Sequence, residues 1–344
     1  MGLVNSLKFN GYSGAIITDE EYYILGRRRA QIADSLQSLL SDEISNEFGI
    51  EAIYGGTGAI AFTNEVIVKT KQAIEKKYKV YKRTNDAKDA FNSVEEIARI
   101  AFVTFQEVCR DKVDKKLYGL FGFTGEDLIR GFYMMDEKKI EIKEEKVISK
   151  ALKIMTNDGA PGCKDIFDNS GMVVGTDMTN GYASFDFYGG STQFYLSTGL
   201  YNALGAGSTS TSLYFSNLIN SLALNERRDG IDKVFGLVEL IRGTNYSLEK
   251  NNEIGGYYNI LYLNGKGKNH KERLTEITGD TAQITKEIVS AYDKGYIKKE
   301  TCFNLIDKIF FSKTKHKIDD LEKELYSGCK NKEDLNLYLR GYKI

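Results

Sequence analysis

The residues best placed to do chemistry in this chain are an acidic pair, Asp19 and Glu20, which the opening segment sets against its own first residues, Met1 and Gly2. Asn10-Gly11 is the dipeptide most favoured in two-residue hairpin turns, because both central residues must take positive φ. With that turn, Phe9 pairs with Tyr12, Leu7 with Gly14, Val4 with Ile17 and Gly2 with Asp19. A terminal amine beside a carboxylate is suited to activating a nucleophile attached to the same residue. Neither Met1 nor Gly2 supplies a hydroxyl or thiol for that role.

Other residues of reactive type are poorly placed. Ser6 would pair with Ala15, four residues before Asp19 and roughly 13 Å away at strand rise, and Ser13 sits just past the turn. His270 lies in Gly265-Lys266-Gly267-Lys268-Asn269-His270 and His316 in Lys313-Thr314-Lys315-His316-Lys317, without carboxylates or cysteines at ligand spacing. Both are read as ordinary surface histidines, and neither a Ser-His-Asp triad nor a His-rich metal site is expected. Asp158, Asp165, Asp168 and Asp177 fall in a glycine- and aspartate-rich stretch without EF-hand spacing, so they are read as loop-initiating residues. No metal and no cofactor is expected. Gly205-Ala206-Gly207-Ser208 lacks the Gly-Lys-Ser/Thr ending of a phosphate-binding loop and reads as a tight strand-to-helix turn. Met1-Gly2-Leu3-Val4-Asn5-Ser6 fits the myristoylation pattern, but Leu3 to Phe9 reads as a buried strand and no polybasic partner signal accompanies it.

Composition narrows the function classes. At 344 residues the chain can bury a sizeable core without staples. Lys plus Arg (47) nearly cancels Asp plus Glu (48), so no long-range field for nucleic acid or an acidic membrane is expected. Cys109, Cys163, Cys302 and Cys329 stand far apart with no CxxC spacing, and neither a signal peptide nor an apolar run of about 18 residues occurs, which predicts a cytoplasmic protein. With a single proline, Pro161, turns must rely on glycine, asparagine and aspartate.

The elements that must position the acidic pair follow from periodicity. Strands are predicted over 4–9 and 12–18, extended by 22–25, then at 50–54 before Gly55-Gly56-Thr57-Gly58. Arg27 to Phe48 reads as amphipathic or irregular. A helix follows from Ala59 to about Lys82, and a second starts at a capping box, Ser93 with Glu96. Strand character returns at 117–123, 130–135, 139–143, 171–175, 182–188 and 192–196, with an inserted surface loop at about 157–180. Helices then carry Leu213 to Leu222 and, capped by Asp229, Ile231 to Ile241. A strand at 254–263 precedes helices at 281–292, 299–311, 318–326 and 332–339.

Paired helices between blocks of antiparallel strands predict an α+β, four-layer α/β/β/α sandwich of two antiparallel sheets. This order resembles the proteasome-like branch of the N-terminal nucleophile hydrolases. Ser13-Gly14-Ala15-Ile16-Ile17-Thr18-Asp19 is similar to that family's second strand, and Tyr54-Gly55-Gly56-Thr57-Gly58-Ala59 to its oxyanion-stabilising glycine turn. Ala203-Leu204-Gly205-Ala206-Gly207-Ser208 resembles its glycine-serine turn, and Glu253-Ile254-Gly255-Gly256-Tyr257 its double-glycine strand entry. The resemblance implies a core over 1–265 and a helical C-terminal extension over 280–344. It also implies site equivalents at Gly2, Asp19, Glu20, Gly56, Gly58 and Ser208, with Ser6 the remaining nucleophile if processing exposed it.

Catalysis in the family requires a terminal Thr, Ser or Cys, an acidic residue and a lysine. Here Met1 or Gly2 takes the nucleophile's place, no lysine lies between Lys8 and Lys69, and Arg27, Arg28 and Arg29 are the nearby cations. An arginine cannot exchange a proton at neutral pH. Asn251 and Ile254 also stand where the family often carries aspartate and serine. The expectation is therefore a catalytically silent assembly subunit or protein-binding module, self-associating or joined to another proteasome-like subunit. The alternative is a peptidase, amidohydrolase or transpeptidase with an unusual nucleophile.

Overall fold

A computed structural model describes residues 2–24, 27–30, 35–156, 164–191, 193–251, 255–312 and 316–340. The chain begins with β1 (Leu3–Lys8), β2 (Ser13–Asp19), β3 (Glu21–Ile24), β4 (Arg27–Ala30), β5 (Leu36–Ser38), α1 (Asp42–Phe48) and β6 (Glu51–Thr57). Two long helices follow, α2 (Ile60–Thr84) and α3 (Val94–Phe121), then α4 (Gly125–Arg130), β7 (Phe132–Met135), β8 (Lys138–Glu141), α5 (Glu145–Thr156) and α6 (Lys164–Phe167). Next come β9 (Ser170–Asp177), β10 (Gly181–Tyr188), β11 (Tyr195–Leu196), β12 (Tyr201–Gly205), α7 (Ser208–Ser221), α8 (Leu224–Asp229) and α9 (Lys233–Lys250). The last elements are β13 (Tyr258–Asn264), α10 (His270–Arg273), β14 (Leu274–Ile277), α11 (Gly279–Asp293), α12 (Lys299–Phe311), α13 (Ile318–Ser327) and α14 (Lys332–Arg340).

Two antiparallel sheets carry the fold, one ordered β12-β1-β2-β13-β14 and the other β11-β10-β9-β6-β5. Alternation along β1 and β2 sends Val4 and Ile16 one way and Leu7, Ala15 and Ile17 the other. Val4 and Ile16 meet Leu36, Ile53, Met172 and Val174 of the facing sheet in an apolar layer between the sheets. Leu7, Ala15 and Ile17 pack under Leu237, Val238 and Ile241 of α9 in a second core, which also takes residues of α11, α12 and α13. A third core joins α2 and α3 to the outer face of the other sheet through Phe62, Val66, Phe105 and Phe187. The result is a four-layer α/β/β/α sandwich, as the element order predicts.

Most elements fall where periodicity puts them, and each departure has a local cause. The opening hairpin is out of its predicted register by one residue: Val4 faces Thr18, Leu7 faces Ala15 and Lys8 faces Gly14. The loop has three residues because Asn10 Oδ1 accepts the N–H groups of Tyr12 (2.9 Å) and Ser13 (3.0 Å), a side-chain turn that needs no positive φ. Residues 117–121 belong to α3 rather than to a strand, since Leu117 extends the buried stripe of Val113 and Cys109, and Gly122 closes the helix in the left-handed conformation. The predicted loop at 157–180 is narrower than expected. Residues 157–163 lie outside the described residues, but 170–177 form the central strand β9, where Gly171 leaves room for Tyr54 and Phe187. The cap of α9 is Asp232, which accepts from Val234 and Phe235, rather than Asp229. Strands β12 and β14 and helices α4, α5, α6, α8 and α10 have no counterpart among the predicted elements, and β4, β5 and α1 fall in 27–48, which reads as amphipathic or irregular.

Among the described residues no helix is long and apolar enough to cross a membrane. Cys109, Cys302 and Cys329 are free and buried, and Cys163 lies outside the described residues.

Candidate active site

The end of β2 delivers Asp19 to the interior of the sandwich, where the residue is 3 % exposed. Its Oδ1 accepts the backbone N–H of Leu3 at 2.7 Å and its Oδ2 that of Gly255 at 3.0 Å. Burial pushes the carboxyl up to about 7, because desolvation outweighs the stabilisation of the anion by those two N–H groups. Gly2 lies directly beside it: a Cβ on Gly2 would stand 3.4 Å from Asp19 Oδ1. The proximity expected of Gly2 and Asp19 therefore survives the register shift, through the carboxylate rather than through strand pairing.

Two glycine turns close around this end of the chain. Gly2 C=O accepts the N–H of Ala206 at 3.0 Å, and Gly205 holds φ +94° where an added Cβ would fall 1.9 Å from the same oxygen. No side chain other than hydrogen fits there. Asn251 Nδ2 donates to Ala206 C=O at 2.8 Å, so an amide braces this turn. Ser208 opens α7 two residues further on, half-buried.

The second turn joins β6 to α2. Gly58 has φ +107° and packs against Asn169, whose Oδ1 accepts the N–H of Ala59 at 2.8 Å. Of the Gly56 to Gly58 turn, which the resemblance makes the oxyanion turn, Gly56 N–H donates to Ser35 C=O at 3.0 Å. It is committed to the neighbouring strand.

The remaining predicted residues are dispersed. Glu20 is buried and lines a cavity of about 680 Å³ between the sheets. Ser6 is buried in mid-strand opposite Ile16 and Asn202, away from Asp19. Asp177 is a structural acceptor for Val94, Thr179 and Asn180 N–H groups. Among the described residues no group of three His, Cys, Asp or Glu could hold a metal ion. Glu253 and Ile254, and the side chains of Arg27, Arg28 and Arg29, lie outside the described residues, as does Met1.

Three features escaped the sequence reading. Thr57 and Ser170 place their hydroxyls 2.8 Å apart, with Thr57 against Gly205 and so beside Gly2. Lys286 of α11 donates to Gly256 C=O at 3.2 Å, next to the Gly255 N–H that Asp19 accepts. His270 is not an ordinary surface residue: its Nδ1 is 3.0 Å from Glu51 and its Nε2 3.3 Å from Asp42. Glu51 is fully buried and also pairs with the buried Arg273 at 3.0 Å, while Ser45 Oγ donates to it. An acid opening an apolar strand is the sequence signal of such partners, since a buried charge must be paired.

No family model matches this chain, and no curated protein matches it. Solved structures do. Anbu from Yersinia bercovieri, described as an ancestral beta-subunit, superposes with a TM-score of 0.50 at 12% identity over 85% of this chain and 94% of that one. A Gly-1 mutant of Anbu from Hyphomicrobium sp. strain MC1 gives 0.49 at 9% identity, over 81% and 88%. At such identity the likeness is one of fold: the chain has the proteasome-like N-terminal nucleophile hydrolase fold.

Proposed function

We propose that this protein is a catalytically silent variant of the proteasome-like fold that works as an assembly subunit or protein-binding module. The observation that carries the reading is the pairing of Gly2 with Asp19, with a hydrogen where a nucleophilic side chain would have to project. A nucleophile of this type needs a hydroxyl or thiol and a base to take its proton. Among the described residues Asp19 spends both carboxylate oxygens on backbone N–H groups, and Gly56 N–H is bonded to Ser35, so acid and oxyanion donor alike serve the scaffold. The partner would be a further copy of this chain or another proteasome-like subunit. The helices of 280–344 are read as an extension built on the 1–265 core.

A second reading, a peptidase, amidohydrolase or transpeptidase with an unusual nucleophile, is favoured by one observation: the Thr57–Ser170 hydroxyl pair beside Gly205. Intact mass of the purified protein, with and without a hydrolase-directed electrophile, separates the two. Loss of Met1 or of nothing, with no adduct, is expected. An adduct on a newly exposed Ser, Thr or Cys start, or on Thr57 or Ser170, would overturn the silent reading. Native mass should show an oligomer, and a clean monomer at micromolar concentration would count against the assembly role.

A further inference from the structure

Residues 187–225 contain no Asp, Glu, Lys, Arg or His, in a chain of which 28% of residues are charged. An uncharged run is ordinary where it is buried, because charged side chains avoid interiors. This run is mostly at the surface: among its described residues only Phe187, Leu204, Gly207, Thr211, Phe215 and Leu222 are buried.

The fold gathers the run along one side of the sandwich. It supplies β11, the outer strand of one sheet, and β12, the outer strand of the other, joined by residues 197–200. Asn202 of β12 donates to Asp186 of β10 at 2.9 Å and the Tyr188 hydroxyl to the same carboxylate at 3.0 Å, so the acid that adjoins the run is buried and bonded. The hydroxyls of Tyr201 and Ser216, 2.8 Å apart, carry the face on from β12 to α7. Open sheet edges invite pairing with another chain, and soluble proteins commonly guard them with lysine or proline. Neither residue occurs in β11 or β12. Tyr195 and Leu196 stand 51 % and 57 % exposed there, with Tyr188 exposed at the end of the neighbouring strand.

Interface cores are depleted of charge and enriched in tyrosine, since a charge covered by a partner loses its hydration. The same point selects the partner. Every Lys, Arg, Asp and Glu of the chain lies outside the run, so a different part of its surface docked here would bring charges that find no counter-charge. A second copy of the run meets it without that cost, and an edge strand is self-complementary across a twofold axis.

We propose that the 187–225 face is the surface through which two copies of this chain associate about a twofold axis, with the β11 and β12 edges at its centre. The inference rests on the self-association put forward above and names its surface and symmetry; it does not depend on catalytic silence.

Sedimentation velocity of the full chain at micromolar concentration tests it. Leu196→Glu and Leu196→Lys each set like charges on the two copies and should weaken association about tenfold or more, equivalent to about 1.4 kcal/mol. An equimolar mixture of the two variants should restore it. Tyr195→Glu, at the adjacent exposed position, should act as Leu196→Glu does and serves if a Leu196 variant fails to fold. Leu120→Glu, at an exposed position near the end of α3, should leave association unchanged. An oligomer that the Leu196 and Tyr195 variants leave intact, or that Leu120→Glu weakens equally, would overturn this face alone and leave the assembly reading standing. Failure of the mixture to reassociate would overturn the twofold arrangement. A monomeric unsubstituted chain would overturn the assembly reading and this face together, and its binding to phosphatidylcholine vesicles would then assign the face to a lipid surface.

Discussion

Asp19 and Leu3 are joined by a 2.7 Å hydrogen bond from the Leu3 N–H to Oδ1, so the carboxylate that resembles a catalytic acid is a brace for the strand that precedes it. Because the other oxygen accepts from Gly255, one side chain ties β1, β2 and the entry to β13. The cost of burying it sets a pH dependence. The folded carboxyl titrates near 7 and an unfolded one near 3.8, so between these values the folded state holds more protons. Stability from this group is full below about pH 4 and is lost as pH rises through about 7. A shift of that size corresponds to roughly 4 kcal/mol at most. Urea unfolding of the native protein between pH 4 and 8 should show this loss, and Asp19→Asn should remove that component of the slope.

Gly205→Ala tests the closure of the amino-terminal segment. A Cβ would collide with Gly2 C=O and the residue would be held at φ +94°, so about 3 kcal/mol or more should be lost. Hydrogen exchange at Leu3 and Ala206 should accelerate before that of the central strands. Unchanged protection at those two amides would contradict the contact.

The Asn10 side-chain turn can be told from a two-residue turn by paired substitutions. Asn10→Ala removes the acceptor for Tyr12 and Ser13 and should cost about 1 kcal/mol. Gly11→Ala meets open space and should change stability by under about 0.5 kcal/mol. A turn with positive φ at both central residues would make the second substitution the more damaging. Chemical denaturation midpoints decide between them.

Glu51 and Arg273 form the buried pair that links β6 to the segment between β13 and β14. Arg273→Ala should cost about 3 kcal/mol, because it takes the guanidinium from a fully buried carboxylate and leaves His270 and Ser45 to hold it. The double variant Glu51→Leu, Arg273→Met should recover a large part of that loss. A double variant as unstable as Arg273→Ala would show that packing, rather than the carboxylate's loss of the guanidinium, dominates.

Periodicity was enough for the layers. Alternation in Val4–Phe9 and Ser13–Thr18, the Ser93 cap and the apolar spacing of α12 are local signals, and α12 falls on the predicted 299–311. The boundary failures are also instructive. Leu117 lies in a stretch whose aromatic composition suits a strand, and only its place in the core with Val113 makes it helical.

The sequence alone determined the kind of fold and the absence of a hydroxyl or thiol at Gly2, because both depend on residue type and short-range spacing. Tertiary structure decided what the surviving residues do. Asp19 became a brace because Gly255, 236 residues away, brings its N–H to it, and Gly56 lost its free donor to Ser35. His270, polar in its local context, was drawn to Glu51 because a buried charge has to find its partners wherever the fold places them. Such pairings are set by where sheets and helices meet, and no spacing along the chain encodes them.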